Sequence, residues 1–326
     1  MRRIAVLGAG AVGGIAAWHL AKAGLKPLIV ARPETARLIS REGLWLAPPG
    51  QPPQNVGIDA AADPAAAGQQ DLLLLGLKGQ DLPAALPMML PLIGPETIVV
   101  PMLNGIPWWY FQGLSGLRAG RCVESVDPGG RLMASIPAEQ VVGCVLRLGG
   151  SRAAPNRIAW NGRRGLFFGA PASGNPGASV EIAALLSQAG LDAKPVEDIR
   201  REVWLKLAGN AAHNPLSAAA DCAIGHLVTD PDLRALSRAI MAEVKAVAAA
   251  SGYPDLFDIE KRLEIAPAMT GFRSSMLQDF DAGRPLELGP IAHAVIEIAA
   301  LHGLAAPSLA AVAALASEKW RRRWAG

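Results

Sequence analysis

The chain is poor in cysteine, in aromatic residues and in charge. Its three cysteines, Cys122, Cys144 and Cys222, form no CxxC pair and no zinc-ligand spacing. This excludes a disulfide framework and a cysteine-built metal site; an odd, sparse set of thiols suits a reducing compartment, so the expected location is cytoplasmic and the expected metal is none. Aromatic residues make up 5% and charged residues 18%, against 51% hydrophobic residues, a balance that excludes disorder and supplies sizeable cores. A formal charge of +3 and the lack of a long basic run argue against a nucleic-acid partner. The one basic cluster, "KWRRRW" at 319–324, reads as a solvated helix end. No run of 18 apolar residues predicts a membrane span, so no membrane partner is expected. The opening "MRRIAVLGAGAVGGIAAWHLA" imitates a secretory leader, but four glycines and a histidine break its apolar stretch.

Its 326 residues suggest two domains of ordinary size. In the first part, short β-rich runs alternate with helical ones. "RIAVLG" (3–8), "KPLIVAR" (26–32), "DLLLLGLK" (71–78) and "TIVVPMLNG" (97–105) are continuous apolar runs, as strands buried on both faces require. "VVGCVLRLGG" and "GLFFGA" add further strands in the Gly- and Pro-rich stretch 106–170. From about residue 197 the pattern turns helical, with Asp230 as a cap, Pro231 in a first turn and an apolar stripe of Leu233, Leu236, Ile240, Val244 and Val247 ending before Gly252. The expected fold class is α/β: an N-terminal Rossmann doubly wound parallel sheet over 1–196, followed by an all-helical C-terminal domain over 197–326.

Within "GAGAVG", Gly8, Gly10 and Gly13 have GxGxxG spacing. The motif is weak alone, but here it follows a strand and opens a helix, the context of a dinucleotide site. The first glycine makes the turn, the second lets backbone approach a pyrophosphate, and the third lets helix and strand pack. Ala9, Ala11 and Val12 complete the loop, whose helix N-terminus offers free N–H groups to phosphate. An NAD site places an acid at the end of the second strand; here stand Ala31 and Arg32, with Glu34 two residues beyond the arginine. An arginine pairs with a 2′-phosphate, so the expected cofactor is NADP(H). Lys78 and Asn104 follow two further strands, at the sheet edge where ligands bind.

In "WLKLAGNAAHNPLSA" (204–218), Lys206, Asn210 and Asn214 recur every four residues, so on a helix they drift only ~40° per step and share a face. That face is either solvated or the wall of a site.

"GAGAVGG", "LGLKGQD", "LNG", "WLKLAGNAAHNPLSA", "SSMLQD" and "GRPLEL" together resemble the ketopantoate reductase (2-dehydropantoate 2-reductase) family, in the right order over residues 4 to about 303. The resemblance implies NADPH-dependent reduction of ketopantoate, a 2-oxo acid, on the route to pantothenate and coenzyme A. It makes Lys206 the catalytic lysine and Asn210 and Asn214 substrate-binding asparagines. It gives Ser275, with its neighbour Ser274, the substrate carboxylate, and sets Glu287 near the nicotinamide ribose and the lysine. Lys78 and Asn104 match residues beside the cofactor, Asn104 reaching the substrate as well. Some members of the family form homodimers. The chain departs from the family at Gly289 and Ile224, where Asp and Asn are expected, and over 107–142, which is longer and carries Trp108 and Trp109.

Ketone reduction needs a hydride on carbon and a proton on oxygen. A lysine ammonium is charged at neutral pH, with a reference pKa of about 10.4, and as general acid contributes roughly 10²–10⁴-fold. A nearby carboxylate, Glu287, holds it in place, while the asparagines and the serine donate to substrate without changing charge. The five histidines have no metal-ligand spacing and read as structural. Two other functions fit: a paralogous reductase of another 2-oxo or 3-hydroxy acid, and a non-catalytic NADP(H) sensor, which has no need of a proton donor.

Overall fold

The computed structural model describes residues 3–116, 118–171, 175–265 and 271–325. The chain divides into two compact units. The first comprises Met1–Leu103, Trp108–Cys122 and Gly129–Ile199; the second comprises Asn104–Pro107, Val123–Pro128 and Arg200–Gly326.

The first unit is built on ten strands: β1 (Ile4–Leu7), β2 (Leu28–Val30), β3 (Leu44–Ala47), β4 (Gln54–Val56), β5 (Asp59–Ala61), β6 (Gln70–Leu75), β7 (Ile93–Leu103), β8 (Gly143–Ala154), β9 (Arg157–Gly169) and β10 (Asp192–Pro195). Their order is β4-β3-β9-β8-β7-β6-β1-β2-β5, with β10 on β9. From β5 to β8 every pairing is parallel. The antiparallel pairs are β8–β9 and β3–β4. The helices of this unit are α1 (Ala11–Lys22), α2 (Pro33–Glu42), α3 (Leu82–Met89), α4 (Arg131–Ser135) and α5 (Pro176–Gln188). Side chains alternate across a strand, so Ile4, Val6, Leu72, Leu74, Val100 and Met102 share one cluster with Ile15 and Leu20 of α1 and Ile182 and Leu186 of α5. The intervening Ala5, Leu7, Leu73, Leu75 and Val99 are equally buried, so both faces of the parallel strands are covered. Each such buried Leu, Ile or Val contributes about 1.5–3 kcal/mol.

Several elements differ from sequence expectation. The run 26–32 is a strand only at Leu28–Val30, and the run 71–78 stops at Leu75 because the chain turns at Gly76. Lys78 therefore lies beyond the strand, ahead of a single 3₁₀ turn at Gly79–Asp81. Strand β7 starts four residues before the expected Thr97, at Ile93, and ends at Leu103. Trp108 and Trp109, in the stretch that departs from the family pattern, are core residues, each 1% exposed.

The second unit is helical: α6 (Ile199–Ala220, entered from the last residue of the first unit), α7 (Ile224–Thr229), α8 (Pro231–Ala250), α9 (Ile259–Ile265), α10 (Ser275–Asp281), α11 (Ala294–Leu301) and α12 (Pro307–Trp324). Asp230 caps α8 as its sequence suggests, accepting from Asp232 N–H at 3.1 Å and Leu233 N–H at 3.0 Å. Glu243 of α8 does the same for α12, accepting from Ser308 and Leu309 N–H. Among the described residues, no helix is long and apolar enough to cross a membrane.

His213 on α6 is 7% exposed, and among the described residues its buried Nε2 has no hydrogen-bond partner. Burial, aided by the charge of Arg262, lowers its pKa from 6.5 to about 4. The unfolded chain binds this proton near 6.5, whereas the folded chain stays neutral until about 4. The stabilisation is therefore complete above 6.5 and lost as pH falls from 6.5 to 4. Denaturant melts should show His213→Leu flattening that acid limb by on the order of 3 kcal/mol. An unchanged slope would count against this assignment.

Candidate active site

The residues expected to carry the chemistry fall into two sets, one in each unit. In the first unit, β1 and β6 are neighbours in register, Leu7 opposite Leu75, and each is followed by a glycine. The chain leaves β1 towards β2 and returns to β6 on the other flank of β1, so these ends form the topological switch point of the sheet. Gly8 N–H donates to Val30 O and Gly76 N–H to Leu7 O, both at 2.8 Å. The backbone at Gly8 is left-handed, φ +102°. A Cβ on Gly13 would lie 2.1 Å from Gly8 O, and one on Gly76 would lie 2.5 Å from the Gly13 Cα. Gly8, Gly13 and Gly76 thus interlock backbone to backbone. At Gly10 the nearest such atom is 3.5 Å away, so packing alone does not demand a glycine there. Gly10 is the N-cap of α1 and supplies no side-chain acceptor to the helix N–H groups. A bare helix N-terminus beside open backbone fits the pyrophosphate of a dinucleotide. Arg32 is exposed at the N-cap of α2, and among the described residues nothing pairs with its guanidinium. Lys78 is half-buried beyond β6. The sequence motif revealed three of these glycines; Gly76 was missed, although it stands in "LLLLGLK" where a strand run breaks.

In the second unit, Asn104 links the two residues expected to be catalytic. Lys206 Nζ donates to Asn104 Oδ1 at 2.6 Å, and Asn104 Nδ2 donates weakly to Glu287 Oε2 at 3.4 Å. Opposite charges orient the carboxamide, with its oxygen toward the ammonium and its amino group toward the carboxylate. Glu287 is 5% exposed, and a carboxylate at that depth requires such partners. Three elements deliver the group: α6 presents Lys206, the exit of β7 presents Asn104, and the residues just ahead of α11 present Glu287.

Trp204 and Leu207, at 0% and 1% exposure, anchor α6 and leave Lys206 half-buried between them. Asn210 is half-buried and Asn214 is 5% exposed; among the described residues neither carboxamide has a hydrogen-bond partner. The shared face thus sinks from a half-exposed ammonium toward buried amides, as a site wall does and a solvated stripe does not. Ser274 is buried, and its hydroxyl caps α10 by accepting from Leu277 N–H at 3.0 Å. Ser275, the first residue of α10, is exposed. Ile224, where the family pattern expects a polar residue, is a buried apolar side chain at 5% exposure.

A family described as ketopantoate reductase PanE/ApbA matches residues 4–173, and its C-terminal counterpart matches residues 198–319. The 2-dehydropantoate 2-reductase of Mesorhizobium japonicum is 36% identical over 314 residues, covering 96% of each chain. A crystal structure from Ralstonia solanacearum MolK2, of a protein assigned as a ketopantoate reductase, superposes with a TM-score of 0.92 at 35% identity, covering 99% of this chain and 98% of that one. The ternary structure of D-mandelate dehydrogenase with NADH and anilino(oxo)acetate shares the fold, with a TM-score of 0.85 at 21% identity over 98% of this chain and 99% of that one. The chain belongs to the ketopantoate reductase family and is an oxidoreductase acting on CH–OH groups.

Proposed function

We propose that the protein reduces a 2-oxo acid with NADPH, converting 2-dehydropantoate to pantoate for pantothenate and coenzyme A synthesis. The observation that carries this reading is the Lys206–Asn104–Glu287 group, set on a helix face whose two further amides, Asn210 and Asn214, are unengaged among the described residues. The Mesorhizobium relative bears the corresponding name.

Gly8, Ala9, Gly10, Ala11, Val12 and Gly13 would hold the dinucleotide pyrophosphate, with Arg32 on the 2′-phosphate and Lys78 beside them. When bound, the cofactor supplies the hydride. The ammonium of Lys206 donates a proton to the substrate carbonyl oxygen, so that no alkoxide charge is left uncompensated. The Asn104 oxygen keeps that ammonium directed, and the Glu287 carboxylate, at the far end of the same amide, offsets its charge. Asn210 and Asn214 donate to the substrate's hydroxyl and carboxylate, and the exposed Ser275 hydroxyl, unengaged among the described residues, reaches the carboxylate while Ser274 makes the cap. Cytoplasmic location fits three cysteines that form no disulfide among the described residues, and exposed Leu304 and Leu315 on the helical unit suit a homodimer.

A second reading keeps the chemistry and changes the acid. The buried apolar Ile224 favours a 2-oxo acid with no polar group at that point of the pocket. NADPH absorbance measured against 2-dehydropantoate and a panel of 2-oxo acids separates the two.

With purified protein, Lys206→Ala should lower kcat by about 10²–10⁴-fold and leave NADPH affinity within a few-fold; near-normal turnover would discard the mechanism. Arg32→Ala should erode the preference for NADPH over NADH by about ten-fold or more, the loss of one charge-assisted fork. A preference that stays unchanged would remove Arg32 from the cofactor site.

A further inference from the structure

Glu287 stands two residues ahead of a π-helical turn, Gly289–His293, that leads into α11. Such turns are rare and geometrically poor, and they persist where neighbours hold them. Two chain segments do so here. At Gly105, φ +79°, a Cβ would come 2.3 Å from the Pro290 carbonyl oxygen, and the Ile106 N–H donates to that same oxygen at 2.8 Å. Together with the Asn104–Glu287 bond this makes a two-point clasp between 104–106 and 287–290. The second segment is Val123–Pro128. Its Ser125 carbonyl oxygen lies 2.8 Å from where a Cβ on Gly289 would be. The segment is gripped in turn by Glu297 of α11, whose carboxylate accepts from Glu124 N–H at 2.7 Å, Ser125 N–H at 2.9 Å and the Ser125 hydroxyl.

We propose that Glu297, acting through Ser125, is a positioning residue for Glu287. Its three hydrogen bonds pin the 123–128 segment against Gly289, fixing the start of the π-helical turn and with it the carboxylate that meets Asn104. The turn joins the two glutamates on one continuous stretch of chain, so a displaced start moves Glu287 directly. A side chain at 289 would meet the Ser125 carbonyl oxygen at 2.8 Å, so any residue but glycine there pushes that backbone aside. The 107–142 stretch and the glycine at 289, two separate expected departures in the sequence, meet at one contact, the Ser125 carbonyl oxygen against Gly289. Catalytic groups misplaced by about 1 Å can cost on the order of 10²-fold in rate, which sets the scale of the effect.

The inference rests on the reductase reading, so the full-length wild type is assayed first with NADPH against 2-dehydropantoate and a panel of 2-oxo acids. No turnover with any of them defeats that reading, and this inference with it. Given an active wild type, Glu297→Ala should lower kcat about 10–100-fold, keep the KM for NADPH within about two-fold, and speed deuterium exchange at the Glu124 and Ser125 amides. Glu297→Gln, which keeps one acceptor oxygen, should recover part of kcat. Gly289→Ala displaces Ser125 with Glu297 intact and should give the same split, about three- to ten-fold in kcat; it also serves if Glu297→Ala does not fold. Faster exchange at those amides with kcat unchanged overturns the proposal and leaves Glu297 a purely structural clamp. A loss of kcat matched by an equal rise in the KM for NADPH overturns it too.

Discussion

A single carboxamide organises the helical unit's site. Asn104 satisfies an ammonium with its oxygen and a carboxylate with its amino group, two separate atoms of one uncharged side chain. Turned over, it would face each charge with the wrong end, so the two partners lock its rotamer and it locks theirs. Its partners lie 102 and 183 residues further along the chain. The Lys206 bond is short and the Glu287 bond long, so the ammonium dominates the alignment and the carboxylate acts more as a counter-charge than as a firm acceptor.

The sheet unit meets a different demand. There the constraint is contact between main chains, with glycines chosen because a methyl group would collide with peptide atoms. Gly8, Gly13 and Gly76 draw α1 onto the ends of β1 and β6. Gly10 belongs to another category, since its surroundings would admit a larger residue. That open backbone leaves room for the proposed pyrophosphate.

Much of this was legible in the sequence. The doubly wound core was, because fully apolar runs such as "LLLLGLK" have only one good use in an α/β protein. The glycine motif, the face bearing Lys206, Asn210 and Asn214, and the Asp230 cap were also visible, since each is a local pattern. Other features were not. The short strands β4, β5 and β10 carry mixed composition, and β3 is apolar but only four residues long, so all four exist through their neighbours rather than their propensity. The cap formed by Ser274 could not be told from an adjacent free serine without knowing where α10 begins. The roles of Gly76, Gly105 and Gly289 depend on which distant backbone approaches each of them, and no window of sequence contains that information.

The covalent path has a consequence of its own. The chain passes from one unit to the other five times, after Leu103, Pro107, Cys122, Pro128 and Ile199. Two short stretches of the helical unit are therefore synthesised before any of its helices. On the ribosome, Asn104 must wait for nearly the whole polypeptide before it can meet both of its partners. Loop closure over such spans is slow and entropically costly. The helical half could not be cut out and grown as an autonomous fragment without leaving behind the residue at its chemical centre. Recombination that swapped only the C-terminal gene segment would inherit the lysine and the glutamate but borrow the bridge between them from another parent.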